Sequence, residues 1–173
     1  MHTSPETPSD KGPLAGLMII DMTRVLAGPY CTMMLNDLGA RVIKVESPET
    51  GDDSRSFGPF IQGVSAYFLS LNRGKESIAI NLKDSKDRAV FDALIRKADV
   101  LVENYRGGAM ARLGYDWDAL HTANPRLIYA AISGFGQTGP YSNWKASELV
   151  RYAMGGYAHI TGNPDREPIK AYG

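Results

Sequence analysis

Cysteine occurs once in the 173 residues, at Cys31, and histidine three times, at His2, His121 and His159. A single thiol closes no internal disulfide, and histidines so scattered suggest no Cys/His metal centre. Charge of neither sign is in excess: 19 Lys and Arg face 19 Asp and Glu. No basic field is therefore available to recruit nucleic acid or an anionic membrane surface. Long apolar runs are also missing, and nothing approaches the roughly 18 residues that a membrane span needs. The opening MHTSPETPSDKG has neither a basic stretch nor an apolar core, which is not the pattern of a secretory signal, and a cytoplasmic location is expected. What is present is ordinary for a globular protein: 43% hydrophobic and 22% charged residues, enough to bury a core.

Residues 1–13 are polar and carry prolines, so they are expected to be a disordered tail, and the chain length suits one domain or one domain plus part of another. Leu17–Ile20 is a continuous apolar run of the kind seen in buried parallel strands. Ala27-Gly28-Pro29 opens a helix, with Tyr30, Met34 and Leu38 spaced as its apolar face beside Cys31 and Leu35, and Gly39 past its end. On that face Cys31 reads as a buried, inert thiol. Arg41–Glu46 is the second strand, and 47–63 a long Gly-, Pro- and Asp-rich loop. A short helix is expected over Ala66–Leu71, a third strand over Ser77–Asn81, and then a helix capped by Asp84 with Val90, Phe91, Leu94 and Ile95 on one face. Asp99–Asn104 is the fourth strand. Helical stretches follow at Ala109–Leu113 and at Trp117–His121, the latter capped by Asp116. Leu127–Ile132 is the fifth strand, a glycine-rich loop leads to a helix near Ser147–Met154, and 160–173 is irregular. Strands alternating with helices predict an α/β fold with a mostly parallel sheet, and no closing element follows the last of them.

Gly134-Phe135-Gly136-Gln137-Thr138-Gly139 spells a dinucleotide-binding glycine pattern after a strand. Such a motif must open a helix so that the pyrophosphate rests on its N-terminus, and here Pro140-Tyr141-Ser142-Asn143 follows instead. A close-approach loop beside a ligand is the better reading. Asp37, Asp84, Asp87, Asp92 and Glu103 read as caps or solvated charges, and Asp52 and Asp53 as turn residues. Glu148, in the first turn of a helix directly after the glycine-rich loop, is the acid best placed for a site.

Several segments in fixed order resemble the family III CoA-transferases, which include formyl-CoA and carnitine CoA-transferases and the related 2-methylacyl-CoA racemases. The carriers are Leu17–Asp21 with Val25–Pro29, Leu38–Glu46, Gly51–Arg55, Leu71–Lys75, Ala98–Arg106, Asn124–Tyr129 and Ser133–Tyr141. The resemblance implies a Rossmann-like sheet with helices on both faces, incomplete here relative to the family, and an interlocked homodimer. It implies CoA transfer from an acyl-CoA to a small carboxylate through an aspartyl-CoA intermediate, with coenzyme A as substrate and neither cofactor nor metal. The nucleophilic aspartate is expected just beyond Gly173, after the loop Glu167–Gly173, so Asp165 does not fill that role. The positions that match CoA contacts are Leu26, Ala27, Ile80, Asn81, Leu82, Lys83, Asn104, Tyr105, Arg106, Arg112, Trp144, Lys145, Ala146 and Ser147. Glu148 matches an auxiliary active-site acid. Leu26 stands where formyl-CoA transferase has glutamine, which speaks against oxalate or formate. Ser147 stands where the racemases have a histidine base, which speaks against racemisation. A catalytically silent CoA-binding fragment or partner subunit is the alternative to an enzyme.

Overall fold

The computed structural model describes residues 12–163 and 165–167; most of the expected tail and the loop 168–173 lie outside them. The chain divides after Ile132 into two compact units. The first holds a sheet of five strands: β1 (Met18–Asp21), β2 (Arg41–Glu46), β5 (Glu76–Ala79), β6 (Val100–Glu103) and β7 (Ile128–Ala131). Their order is β5-β2-β1-β6-β7 and every pairing is parallel. From β1 the chain steps outward through β2 to β5, then returns to the other side of β1 for β6 and β7. The topological switch therefore lies between β1 and β6, where α/β sheets bind ligands at the carboxyl ends of their strands.

Alternation along the strands sends side chains to both faces. On one face Ile20, Ile43, Val45 and Leu101 pack beneath α3 (Ser85–Ile95), α4 (Ala109–Arg112) and α5 (Trp117–Ala123), through Phe91, Ile95, Met110 and Leu120. On the other, Ile19, Val42 and Val102 meet Leu35 of α1 (Ala27–Asp37). The α/β fold with helices on both faces is thus the one the sequence predicts. Asp84 and Asp116 cap α3 and α5 as expected, accepting from the amides of Lys86 and Asp87 and of Ala119.

Two local expectations need correction. In α1, Tyr30, Met34 and Leu38 are exposed, while Gly28, Pro29, Thr32 and Met33 are buried and Cys31 is half-buried. The helix turns Thr32 inward because its hydroxyl donates to Asp21 at 2.6 Å, so a polar contact overrides the apolar stripe. The 47–63 loop contains a 3-10 turn at Asp53–Ser56 and a hairpin, β3 (Phe60–Ile61) with β4 (Val64–Ser65), around Gln62-Gly63. Helix α2 (Ala66–Asn72) follows, with Phe68, Leu71 and Asn72 as its buried side.

The second unit contains α6 (Glu148–Met154) and α7 (Tyr157–Ile160). The short α7 has no sequence expectation behind it. The glycine pattern at 134–139 opens no helix, as the proline after it requires. Gly134 does allow close approach: a side chain there would overlap Ala146.

Candidate functional site

Four strands of the first unit end around one cleft of about 290 Å³. Strand β1 contributes Met22 and Arg24 just past its end, and β2 contributes Val45, Glu46, Ser47 and Pro48. Residues 80–83 (Ile80, Asn81, Leu82, Lys83) follow β5, Tyr105 follows β6, and Ala109 and Leu113 come from α4 and its end. Met22, Val45 and Ile80 form a buried apolar floor continuous with the core. Arg24 and Lys83 add two cations at the rim, and the Arg24 guanidinium sits 5.4 Å from the centre of the Tyr105 ring. Burial pushes the Tyr105 hydroxyl above its ordinary 10.0, with Arg24 offsetting part of that, so the ring is neutral. An apolar floor, a neutral phenol and two cations suit a flat heteroaromatic group carrying phosphates.

The turn from β1 into α1 is held from every side. Thr23 donates its amide and hydroxyl to Asp21, and its carbonyl accepts from Lys44 Nζ at 2.8 Å. Arg24 is bracketed by Asn104, whose Oδ1 accepts the Arg24 amide at 2.9 Å and whose Nδ2 donates to the Arg24 carbonyl at 2.8 Å. Val25 donates its amide to Asp52 Oδ1 at 3.1 Å. Behind this turn lie two ion pairs, each with both side chains almost wholly buried: Lys44–Asp52 at 2.8 Å and Lys75–Asp21 at 3.0 Å. Lys75 also donates to the Pro29 carbonyl, Thr32 Oγ1 and Asn72 Oδ1, so all its donor capacity is used. Burial pulls the Lys75 ammonium below its ordinary 10.5, with Asp21 offsetting only part of the drop. For Asp52, burial pushes the carboxyl up, but Lys44 and Ser54 outweigh it and hold it below 3.8. Glu46 behaves alike: burial opposes, and Arg55, Ser77 and the Asp52 amide prevail, leaving the carboxyl below 4.5.

Glu103 is the opposite case, and the solvated reading fails for it. It is buried, accepts from the Tyr105 amide and the Tyr129 hydroxyl, and forms no salt bridge with a cation among the described residues. Burial therefore pushes its carboxyl above 4.5, and those two donors offset only part of the rise.

Of the residues singled out in the sequence, Ile80, Asn81, Leu82, Lys83 and Tyr105 meet in this cleft. Asn104 lies next to it through Arg24, while Arg106 and Arg112 are exposed on the flanking loop and on α4. Leu26 and Ala27 do not line the cleft; they are exposed at the start of α1, directly after Val25. In the second unit Trp144 stacks at a tilt on Tyr141, with centroids 4.4 Å apart, and Lys145 is exposed. Ser147 caps α6 by accepting from the Val150 amide, and Glu148 begins that helix. Sequence reasoning missed Met22, Arg24, Val45, Glu46 and Ser47. The signal that would have found them is their position: each stands within four residues of the carboxyl end of a predicted strand. Among the described residues no His, Cys, Asp and Glu side chains gather as a metal site, and no helix is long and apolar enough to cross a membrane.

Residues 14–173 match the family described as CoA-transferase family III. The chain belongs to CoA-transferase family III. It is 53% identical over 172 residues to the acetyl-CoA:oxalate CoA-transferase of Acetobacter aceti, covering 99% of this chain and 44% of that protein. It is 44% identical over 173 residues to the succinate–glutarate CoA-transferase of Agrobacterium fabrum, covering 96% of this chain and 43% of that protein. The crystal structure of a CAIB/BAIF family protein from Brucella suis superposes with a TM-score of 0.86 at 44% identity, over 93% of this chain and 44% of the other. The chain thus spans less than half the length of the family III relatives it matches.

Proposed function

We propose that this chain is the acyl-CoA-binding, N-terminal portion of a CoA-transferase that moves CoA from an acyl-CoA donor to a small carboxylate. The observation that carries the reading is the cleft at the β1/β6 switch, where Ile80–Lys83 and Tyr105 converge with Arg24. Family membership supplies the chemistry. In this reading Met22, Val45 and Ile80 receive the adenine, and Lys83 and Arg24 meet phosphate oxygens. By the family resemblance Leu26 and Ala27, at the end of the braced turn, contact CoA, and Arg106 and Arg112 lie along its phosphates; Trp144–Ser147 are the CoA-contact positions of the second unit.

Transfer then proceeds by carboxylate nucleophilic catalysis. An aspartate following residue 173 attacks the thioester carbonyl, giving a mixed anhydride and CoA thiolate. The thiolate attacks the aspartyl carbonyl and releases the acyl group as a carboxylate. The acceptor carboxylate attacks the resulting aspartyl-CoA thioester, and CoA thiolate returns to the new anhydride to form product and restore the aspartate. Glu148 serves as a neighbouring acid that orients the acyl group without being attacked. Residues 14–173 are then the N-terminal part of the large domain, and the complete protein is an interlocked homodimer. The serine at the N-cap of α6 disfavours a racemase, which would need a base there.

Calorimetric titration of this chain with CoA tests the binding part, with heat release expected and its absence overturning the reading. Assay of the complete reading frame with acetyl- and succinyl-CoA against oxalate, glutarate and other short carboxylates tests the transfer. Oxalate stays in that panel because a relative at 53% identity carries it in its name, despite Leu26. Hydroxylamine trapping of an aspartyl thioester is expected; turnover without it would sink the covalent route.

A further inference from the structure

Val25 has φ +68°, and among the described residues only Gln62 shares a positive φ without being glycine. For a β-branched side chain this conformation is strained, and it persists only where the surroundings impose it. The restraint is visible. The Val25 amide donates to Asp52 Oδ1, and Asp52, itself 1% exposed, is pinned by Lys44 and by the Ser54 amide and hydroxyl. Lys44 in turn holds the Thr23 carbonyl, two residues before Val25. Asp52 comes from the 47–63 loop, so the conformation of the β1–α1 turn is dictated by a side chain remote in sequence. The residue immediately after Val25 is Leu26, the first of the two α1 positions assigned to the ligand.

We infer that Asp52 is a positioning residue: by locking Val25 in the left-handed region it aims Leu26 and Ala27 at the acyl-CoA. The inference rests on the CoA-binding reading above. It also explains why an ion pair with both side chains buried is retained next to a ligand turn, since such pairs add little stability over apolar replacements.

The test is a mutant cycle on the complete protein, read by CoA titration and by thermal melting. D52A is expected to weaken CoA binding about tenfold or more, the scale of a released backbone strain of this kind. In a V25G background, where glycine adopts the same φ unaided, D52A is expected to cost less than about threefold. Loss of the same factor in both backgrounds overturns the inference, as does a D52A protein that melts earlier yet binds CoA like the parent. If D52A does not fold, K44M/D52L removes the buried charges together and the acceptor with them; it is expected to weaken CoA binding in a way V25G restores, and unchanged binding overturns the inference. A parent protein that binds no CoA defeats the CoA reading itself, whereas a parent that binds while D52A is unaffected defeats only the role of Asp52.

Discussion

The side-chain amide of Asn104 spans both backbone polar groups of Arg24, accepting from its N–H at 2.9 Å and donating to its C=O at 2.8 Å across the switch between β1 and β6. Arg24 is thereby fixed beside Tyr105 in the cleft. Replacing Asn104 by alanine removes both bonds, at about 1 kcal/mol each. N104A is expected to lower stability by about 1–2 kcal/mol and to weaken CoA binding, whereas N104D keeps the acceptor and retains part of both. Denaturant melts and calorimetry check the pair.

Lys83 is exposed at the rim of the cleft and is expected to meet a phosphate. K83A should weaken CoA by about 1–3 kcal/mol, and the deficit should shrink as salt is raised, because screening already weakens the parent's contact. Titrations at low and high ionic strength decide it; a deficit independent of salt would contradict a charge contact.

Under the proposed function, Glu148 acts on turnover and Lys145 on CoA binding. E148Q keeps shape and loses charge, so turnover is expected to fall with CoA affinity little changed. K145A is expected to do the reverse, by about 1–3 kcal/mol for a charge-assisted contact. Steady-state kinetics beside CoA titration would distinguish them, and small equal effects on both would reduce Glu148 to a helix-end charge.

Removing Lys75 leaves Asp21 charged, buried and without its cation. K75M is expected to cost about 3–5 kcal/mol in urea unfolding, and K75M/D21N less than the sum of its parts. Additive losses would mean that the two side chains do not act as a pair.

Stability should depend on pH in two opposed ways. Glu46 and Asp52 titrate below their ordinary 4.5 and 3.8 when folded, so their contribution is present above those values and is lost as pH falls through the lower folded ones. Glu103 titrates above 4.5, so its contribution is present below 4.5 and is lost as pH rises through the folded value. E46Q should therefore flatten the loss of stability on the acid side of 4.5, and E103Q should gain on the parent as pH rises above 4.5. Urea midpoints on both sides of that value measure both slopes; a parallel E103Q curve would show that Glu103 stays ionised.

The elements were legible wherever a local pattern fixes them. The apolar run before Asp21, the caps Asp84 and Asp116 and the proline after Asn124 place their strands and helices to within a residue or two. What could not be read was the fate of charges inside strands. Lys44, Glu46 and Glu103 sit in runs that look half-solvated, yet all three are buried. Lys44 owes this to Asp52, and Asp21 to a lysine 54 positions away, and no window of sequence reports such meetings. The same long-range contacts invert the face of α1, since Thr32 is drawn inward by Asp21. The cleft was half legible: Ile80–Lys83 and Tyr105 carry family resemblance, whereas Arg24 and Ser47 are marked only by standing just past a strand end.

The strand order also sets a sequence of assembly. A chain emerging from its N-terminus can pair β1, β2 and β5 and close the Asp21–Lys75 bond before β6 exists. Asn104 lies 80 positions beyond Arg24, and such distant closures are slow. Three of the five strands and both buried lysines can thus be in place before the ligand cleft, which needs β6 and α4, is complete. Acquisition of CoA affinity during refolding would then lag behind burial of the β1–β2–β5 core, making the nucleotide a reporter of the docking of β6 rather than of collapse.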